Sequence, residues 1–357
     1  MASVLNPVQH ARIWYKEGMS LSAADWQVFV LGAGRGSVQQ EGYPNLQGKG
    51  YNTSGILRLQ MQWILILHIL KIRPDVLHIH TPELALPALL MKGLLGFRCV
   101  YDRHEAYPVQ LQDAQTYSRF TRFFAPGIAK LLERCLFKYC DQVLIAEEGY
   151  RGEAGPQSVL IRNSFLPIDV APSPNDKRSY WIIGGTLGQR YGTQEALMLW
   201  KYLYAEQGKS LVIAGICYEP ELIQEIRALK AQYPDALHLY GIDTYVPYPV
   251  VQGLMQGAYG SLQLFPAAAW LQGKVPTRFY ECIGHGIKIV YSGIAEWDAV
   301  LSAYPCAVRF TGSVPELLAA LQETRDCHID DDVYSWTKDA QVLKAVYAQW
   351  ASGYEEL

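Results

Sequence analysis

Residues 274–286 read KVPTRFYECIGHG and run straight into the apolar stretch IKIVYSG at 287–293. Pro276 suits the first position of a short helix, and Thr277 can satisfy a free amide at that end. Arg278 and Glu281 are three residues apart and share a helix face. Two uses of that pair compete. On a solvated helix it is an ion pair worth about 0.3 kcal/mol. In front of a buried strand, the exposed amides and the positive helix end can instead receive a phosphate. Arg278 would then hold a diphosphate, and Glu281 would accept hydrogen bonds from ribose hydroxyls. Gly284 and Gly286 let the helix end pack closely under the strand.

The surroundings favour a sheet of parallel strands. Short apolar runs alternate with longer helical patterns along the whole chain, the signature of α/β units. Strands are predicted at 26–34, 75–81, 97–102, 141–148 and 158–164, with helical stretches such as GILRLQMQWILILHILK (55–71) and FFAPGIAKLLERCLFKY (123–139) between them. LPIDVAPSPNDKRS (166–179) reads as a linker. Strands then resume at 180–185, 210–215, 236–241, 260–266, 287–293 and 307–312, and SWTKDAQVLKAVYAQW (335–350) reads as a terminal helix. The expected organisation is residues 1–168 as one Rossmann-like domain, 169–334 as a second, and 335–357 as a C-terminal helix returning to the first. Two such sheets in succession imply a cleft, with ligands at the carboxyl ends of the strands.

Composition narrows the function. The 357 residues are half apolar, as a folded chain requires, and the net charge of −3 gives no bulk attraction to nucleic acid. Seven cysteines are dispersed without a C-x-x-C pair, which predicts reduced thiols and a cytoplasmic setting. MQWILILHIL (61–70) is about half a bilayer span, so no transmembrane helix is predicted.

The pattern Pro-Thr-(Lys/Arg)-x-x-Glu-x-x-x-x-Gly before an apolar strand resembles the donor-site signature of family-4 retaining glycosyltransferases with the two-Rossmann GT-B fold. Other segments agree in order. ARIWYKEGMSLSAADWQVFVLGAG (11–34) resembles the family's first helix and second strand. RPDVLHIHTPELALPALLMKGLLGFRCVYDRHEAYP (73–108) resembles its core, including the His-Glu-x-Tyr-Pro of a bacterial subgroup. ERCLFKYCDQVLIAEE (133–148) and VLIRNSF (159–165) follow, and WIIGGTLGQRYGTQEAL (181–197) with LVIAG (211–215) resembles the opening of the donor domain. The likeness covers nearly the whole chain.

The resemblance implies roles residue by residue. Pro276, Thr277 and Arg278 stand at the donor diphosphate and Glu281 at the ribose. Gly184, Gly185 and Thr186 match the glycine turn after the first donor-domain strand, and Arg190 matches a basic residue that neutralises the leaving phosphate. His104 matches the histidine facing the donor sugar, with Glu105 beside it and Asn163 at the interdomain turn, both on the acceptor and sugar side. His104, Arg190 and Arg278 are therefore the catalytic candidates. Plainer readings stand beside these: His104 as a histidine ending a strand, Arg190 as a loop cation, and Asn163 as a turn former. Three departures stand out. Gly273 occupies the place of a second Glu in many members, Lys288 replaces a proline, and only Ser3 to Asn6 remain for the first strand, which is short or truncated.

Other motifs carry less. LGAGRGS (31–37) imitates a dinucleotide loop but has Ser37 at the third glycine position. His78 and His80 share a strand face, yet a metal would need further ligands. Asp330-Asp331-Asp332 reads as helix-start capping, and no metal is expected. Residues 117–139 interleave cations with aromatics and leucines, either as an ordinary amphipathic helix or as a patch touching anionic lipid.

The implied activity is transfer of a sugar from a UDP- or GDP-type nucleotide-diphosphate sugar to a glycan or lipid-linked acceptor hydroxyl, in bacterial envelope polysaccharide or glycolipid synthesis. No cofactor is required beyond that co-substrate. A peripheral position at the inner face of the membrane goes with the lipid-linked acceptor. The alternatives are a degenerate nucleotide-sugar-binding or partner protein, and a nucleotide-sugar epimerase.

Overall fold

A computed structural model describes residues 1–113, 119–167, 178–271, 273–324, 327 and 334–351. Asp330 to Asp332, most of the expected linker and the start of the 117–139 segment lie outside the described residues. The chain divides into two compact units. One comprises Met1–Asn163 with Lys274 and the helix Trp336–Ala351; the other comprises Ser164–Leu271 and Val275–Ser335.

The first unit is built on an eight-stranded sheet: β1 (Ala2–Pro7), β2 (Val28–Ala33), β3 (Gly36–Gln40), β4 (Tyr43–Tyr51), β5 (Val76–Ile79), β6 (Arg98–Arg103), β7 (Gln142–Ile145) and β8 (Val159–Leu160). Their order is β3-β4-β2-β1-β5-β6-β7-β8, and only β3 and β4 pair antiparallel. Strand β1 therefore lies inside the sheet between β2 and β5 and is six residues long, longer than the Ser3-to-Asn6 remnant expected. LGAGRGS joins β2 to β3, so strand rather than helix follows it, which removes the structural context of a dinucleotide loop.

Behind the sheet, the helix Gln60–Ile72 turns Met61, Leu65 and Ile69 inward at spacings of four, and the helix Ala85–Leu95 turns Ala85, Ala88 and Met91 inward at spacings of three. They pack on Leu77, Ile79, Tyr101 and Ile145. Each such buried leucine contributes roughly 2 kcal/mol relative to exposure. The 60–72 helix stops where Arg73 adopts a left-handed conformation before Pro74. On the other side, Trp336 of the terminal helix donates from Nε1 to Ser20 Oγ at 2.8 Å, and Tyr347 meets His78 Nδ1 at 2.9 Å.

The second unit has six parallel strands: β9 (Tyr180–Leu187), β10 (Ser210–Cys217), β11 (Leu237–Ile242), β12 (Ala258–Gln263), β13 (Lys288–Ser292) and β14 (Ala307–Phe310). Their order, β11-β10-β9-β12-β13-β14, is that of a doubly wound dinucleotide-type sheet. The expected apolar runs supply all six. Strand order reverses between β9 and β12 here, and between β1 and β5 in the first unit, so each sheet has a switch point where a crevice forms at the carboxyl ends.

One expectation is corrected. Cys306 and Cys327 form a disulfide across a separation of 21 residues, so the thiols are not all reduced. Spacing alone did not reveal it, because the two cysteines meet through the fold. Lys288, the departure from proline, is buried. Its ammonium donates to the Leu321 and Thr324 carbonyls at 2.9 and 2.6 Å, closing the end of the helix Val314–Glu323.

Candidate functional site

In the second unit, Gly184, Gly185 and Thr186 do not form a turn after the strand, as expected; they are the carboxyl-end residues of β9, paired with β10 beside the switch point. Arg278, 92 residues further on, folds against it and donates from Nη2 to the Thr186 carbonyl at 2.7 Å. Gly185 has φ +82°, and a Cβ there would lie 2.5 Å from Arg278 Nη2. Any other residue would expel the guanidinium. Burial pulls the Arg278 pKa below its ordinary value, with Glu281 opposing. The helix Thr277–Gly284 begins with Pro276 as N-cap, one place earlier than expected. No side chain caps that end, so Thr277 does not play the capping part proposed for it. Glu281 is buried one turn on.

Arg190 sits in the 3₁₀ turn Gln189–Tyr191 that follows β9. Its guanidinium lies 4.4 Å from the ring centre of Trp270 and 5.5 Å from that of Tyr191, and these two rings pack edge to face. Among the described residues, neither Arg190 nor Arg278 has a carboxylate within salt-bridge range. An aromatic face fixes a guanidinium without consuming its N–H donors. Two half-buried cations, Arg278 against the end of β9 and Arg190 in the turn that follows it, therefore retain donors for an anion. Trp270 escaped the sequence reading because it follows three alanines in a segment with no strand or helix period.

The first unit's switch point is organised differently. His104 follows β6, His80 follows β5, and Asn6 ends β1. His104 is buried; Nε2 lies 3.3 Å from Asn6 Nδ2 and 3.5 Å from the Tyr107 hydroxyl, and Nδ1 lies 3.5 Å from Asp102 Oδ2. Tyr107 donates to the His80 carbonyl at 2.7 Å. Beneath them, Arg12 donates to both Asp102 oxygens, at 2.6 and 2.8 Å, and sits 3.0 Å from Glu17. Arg12 also reaches the Asn163 side-chain oxygen at 3.0 Å, which engages the carboxamide expected to serve a ligand. Glu105 pairs with Lys274 and accepts from Gln110. Gly273, which departs from the glutamate expected from the resemblance, has φ +65°, a conformation that disfavours that side chain.

Burial dominates the titration of this cluster. It lowers His78 and His80 to about 3 and His10 well below the usual range, so all three are neutral at pH 7. Burial and Asp102 raise Glu17 to about 7 against the pull of Arg12. Burial acts to raise Asp102 as well, but Arg12 and His104 outweigh it and hold the carboxylate well below its normal value. Burial acts to lower Arg12, but Asp102 and Glu17 outweigh it and keep it a cation. Glu17, His78, His80 and Asp102 offer ligand atoms within 4.8 Å of one another, the further donors that the histidine pair alone lacked. Arg12 already bridges both carboxylates, however, and His80 Nε2 is 2.7 Å from Glu17. A cation would have to displace that arrangement. Arg12 and Glu17 were missed because charged residues in a helical pattern read as a solvated face, and Asp102 because a carboxylate closing a strand reads as an ordinary polar end.

A cavity of about 240 Å³ also opens in this unit, at the amino ends of its strands beside Phe29, His68 and Asp75. It lies at the opposite edge of the sheet from the carboxyl-end residues.

No protein-family model matches the sequence, and no curated protein matches it by sequence. Solved structures do match by shape. A sucrose-phosphate synthase from Thermosynechococcus elongatus superposes with TM-score 0.66 at 14% identity over 99% of this chain and 98% of that one. Anabaena HepE in complex with UDP-glucose gives 0.57 at 12%, covering 99% and 98%. A putative UDP-N-acetylglucosamine 2-epimerase from Listeria monocytogenes gives 0.58 at 10%, covering 94% and 93%. At such identities the likeness establishes architecture: two parallel-sheet α/β units of the GT-B type.

Proposed function

We propose that this chain is a retaining, metal-independent glycosyltransferase that moves a sugar from a nucleotide-diphosphate sugar to an acceptor hydroxyl. The observation that carries the reading is that Arg278, held against the end of β9, and Arg190, held on Trp270 in the turn after it, have no carboxylate in range among the described residues. Breaking the anomeric carbon–oxygen bond leaves negative charge on a diphosphate. Preoriented guanidinium groups and uncapped amides at the 277–284 helix stabilise that charge without a metal. Glu281 is assigned the ribose hydroxyls. His104 is assigned the sugar-side role in the first unit, from its position at the end of β6. That HepE was solved with UDP-glucose supports a UDP-type donor over a GDP-type one. A lipid-linked or glycan acceptor of envelope polysaccharide synthesis fits the resemblance, with the 117–139 segment as the candidate membrane contact.

Incubating the purified protein with UDP-, GDP-, dTDP- and ADP-sugars tests this by thermal shift and product analysis. One donor should stabilise the protein and be turned over, and Arg278→Ala and Arg190→Ala should each abolish both effects. Wild-type rates in both variants and in Glu281→Ala would remove the assignment. The epimerase-like neighbour favours one second reading, in which the donor sugar is isomerised with no acceptor present. Nucleotide binding with neither activity would instead identify a degenerate binding protein.

A further inference from the structure

We propose that one face of the first unit is a docking surface for an anionic phospholipid bilayer, formed by the 60–72 and 85–95 helices together with Arg119–Tyr139. The connections β4 to β5, β5 to β6 and β6 to β7 advance in one direction across the sheet, so right-handed crossovers place these helices on the same side. The 60–72 helix packs against 85–95, which packs against 119–139.

The outer surface of such a helical layer is ordinarily polar. Here each helix exposes an apolar stripe opposite its core stripe. On 60–72, Trp63 (71% exposed), Leu67 and Leu70 face away from Met61, Leu65 and Ile69. On 85–95, Leu86 (73%), Leu90 and Leu94 recur every four residues. On 119–139, Phe123 (76%), Phe124, Ile128 and Leu131 continue the pattern. Scattered apolar side chains on a surface are ordinary, but a contiguous field across three helices marks an interaction site.

Charge identifies the occupant. In sequence the three helices carry seven lysines and arginines and one acidic residue, Glu133, and of the cations Lys92 is paired with Asp141. Glu133 is buried and engaged by Tyr101 and Arg103. Lys130, Arg134 and Lys138 are exposed, spaced four apart, and without an acidic partner among the described residues. Apolar stripes flanked by uncompensated cations match the acyl boundary and headgroups of an anionic leaflet. Two such faces meeting in a dimer would bring like charges together. No described helix is long and apolar enough to cross a membrane, so the contact lies along the interface.

Flotation of the purified chain with phosphatidylcholine vesicles, with and without phosphatidylglycerol at about a third of the lipid, tests the assignment. Wild type should float with the anionic vesicles at about 0.1 M salt and be released as salt rises. Leu67→Asp combined with Leu90→Asp should cut the bound fraction at least about tenfold. Lys130→Glu with Arg134→Glu should abolish the preference for anionic lipid. Circular dichroism and melting temperature should be unchanged in both, since all four side chains point outward. Wild type that stays unbound overturns the proposal, as does binding indifferent to both variants. Light scattering that reveals a dimer split by Leu67→Asp and Leu90→Asp, with no vesicle binding, would assign the face to a second copy.

Discussion

The two switch points use arginine in opposite ways. In the first unit Arg12 is fully buried and saturated, bridging Asp102 and Glu17 and holding Asn163. In the second, Arg278 rests on one backbone carbonyl and Arg190 on aromatic faces, with no carboxylate in range among the described residues. Internal neutralisation makes Arg12 a positioning group for Asp102, and through it for His104. Uncompensated charge leaves Arg190 and Arg278 free to serve the anion-binding role proposed for them. Residue type was the same in both places; the neighbours decide the role.

Removing the saturated arginine should have the largest effect on stability. Arg12→Ala leaves Asp102 buried without its cation and should cost about 3–5 kcal/mol, read as a lower denaturant midpoint. Arg278→Ala should leave stability within about 1 kcal/mol and instead cost donor turnover about 10²–10³-fold. If the two variants exchanged behaviours, the contrast would be broken. Opening the Cys306–Cys327 bridge by paired Cys→Ser substitution removes the constraint on a 21-residue separation. A loss of about 3 kcal/mol is expected in oxidising buffer, and none once the wild type is reduced.

Acid sharpens the comparison further. His78 and His80 have folded pKa values of about 3 against an unfolded value near 6.5, so the unfolded chain binds the extra protons. Their contribution is complete above pH 6.5 and is lost as pH falls toward 3. Glu17, raised to about 7, works the other way, and its contribution is lost as pH rises from about 4.5 to 7. His78→Gln should therefore flatten the slope of stability between pH 4 and 6 by about one proton, or about 1.4 kcal/mol per pH unit. An unchanged slope would mean that His78 titrates normally. The smallest expected effect is at Trp270. Its replacement by Ala loosens Arg190 by about 0.5–1 kcal/mol and should weaken donor binding a few-fold.

How much of this the sequence displays depends on whether neighbours in the chain are neighbours in space. Strands β9 to β14 are apolar runs ended by glycine or polar turns, and they are legible directly. The β3–β4 hairpin is not, because its SVQQEGYPNLQGKGY stretch is polar and rich in glycine at the sheet edge. The Pro-Thr-Arg segment and the Gly-Gly-Thr end of β9 stand out separately; their contact through Thr186 does not, being 92 residues apart. Arg12, Lys16 and Glu17 look like a solvated helix face and are buried. Leu67, Leu86 and Leu90 look like core and are exposed. Hydrophobic periodicity identifies a helix, but it cannot tell which of two apolar stripes meets the sheet when both are apolar.

Calorimetric titration of wild type and Arg278→Ala with UDP-glucose, at low and high salt, tests the central claim most directly. The claim requires binding by the wild type that weakens with salt, loss of that binding by about two orders of magnitude in Arg278→Ala, and an unchanged melting temperature of the ligand-free variant. Equal affinity in both proteins, or a variant that binds poorly only because it has unfolded, would contradict it.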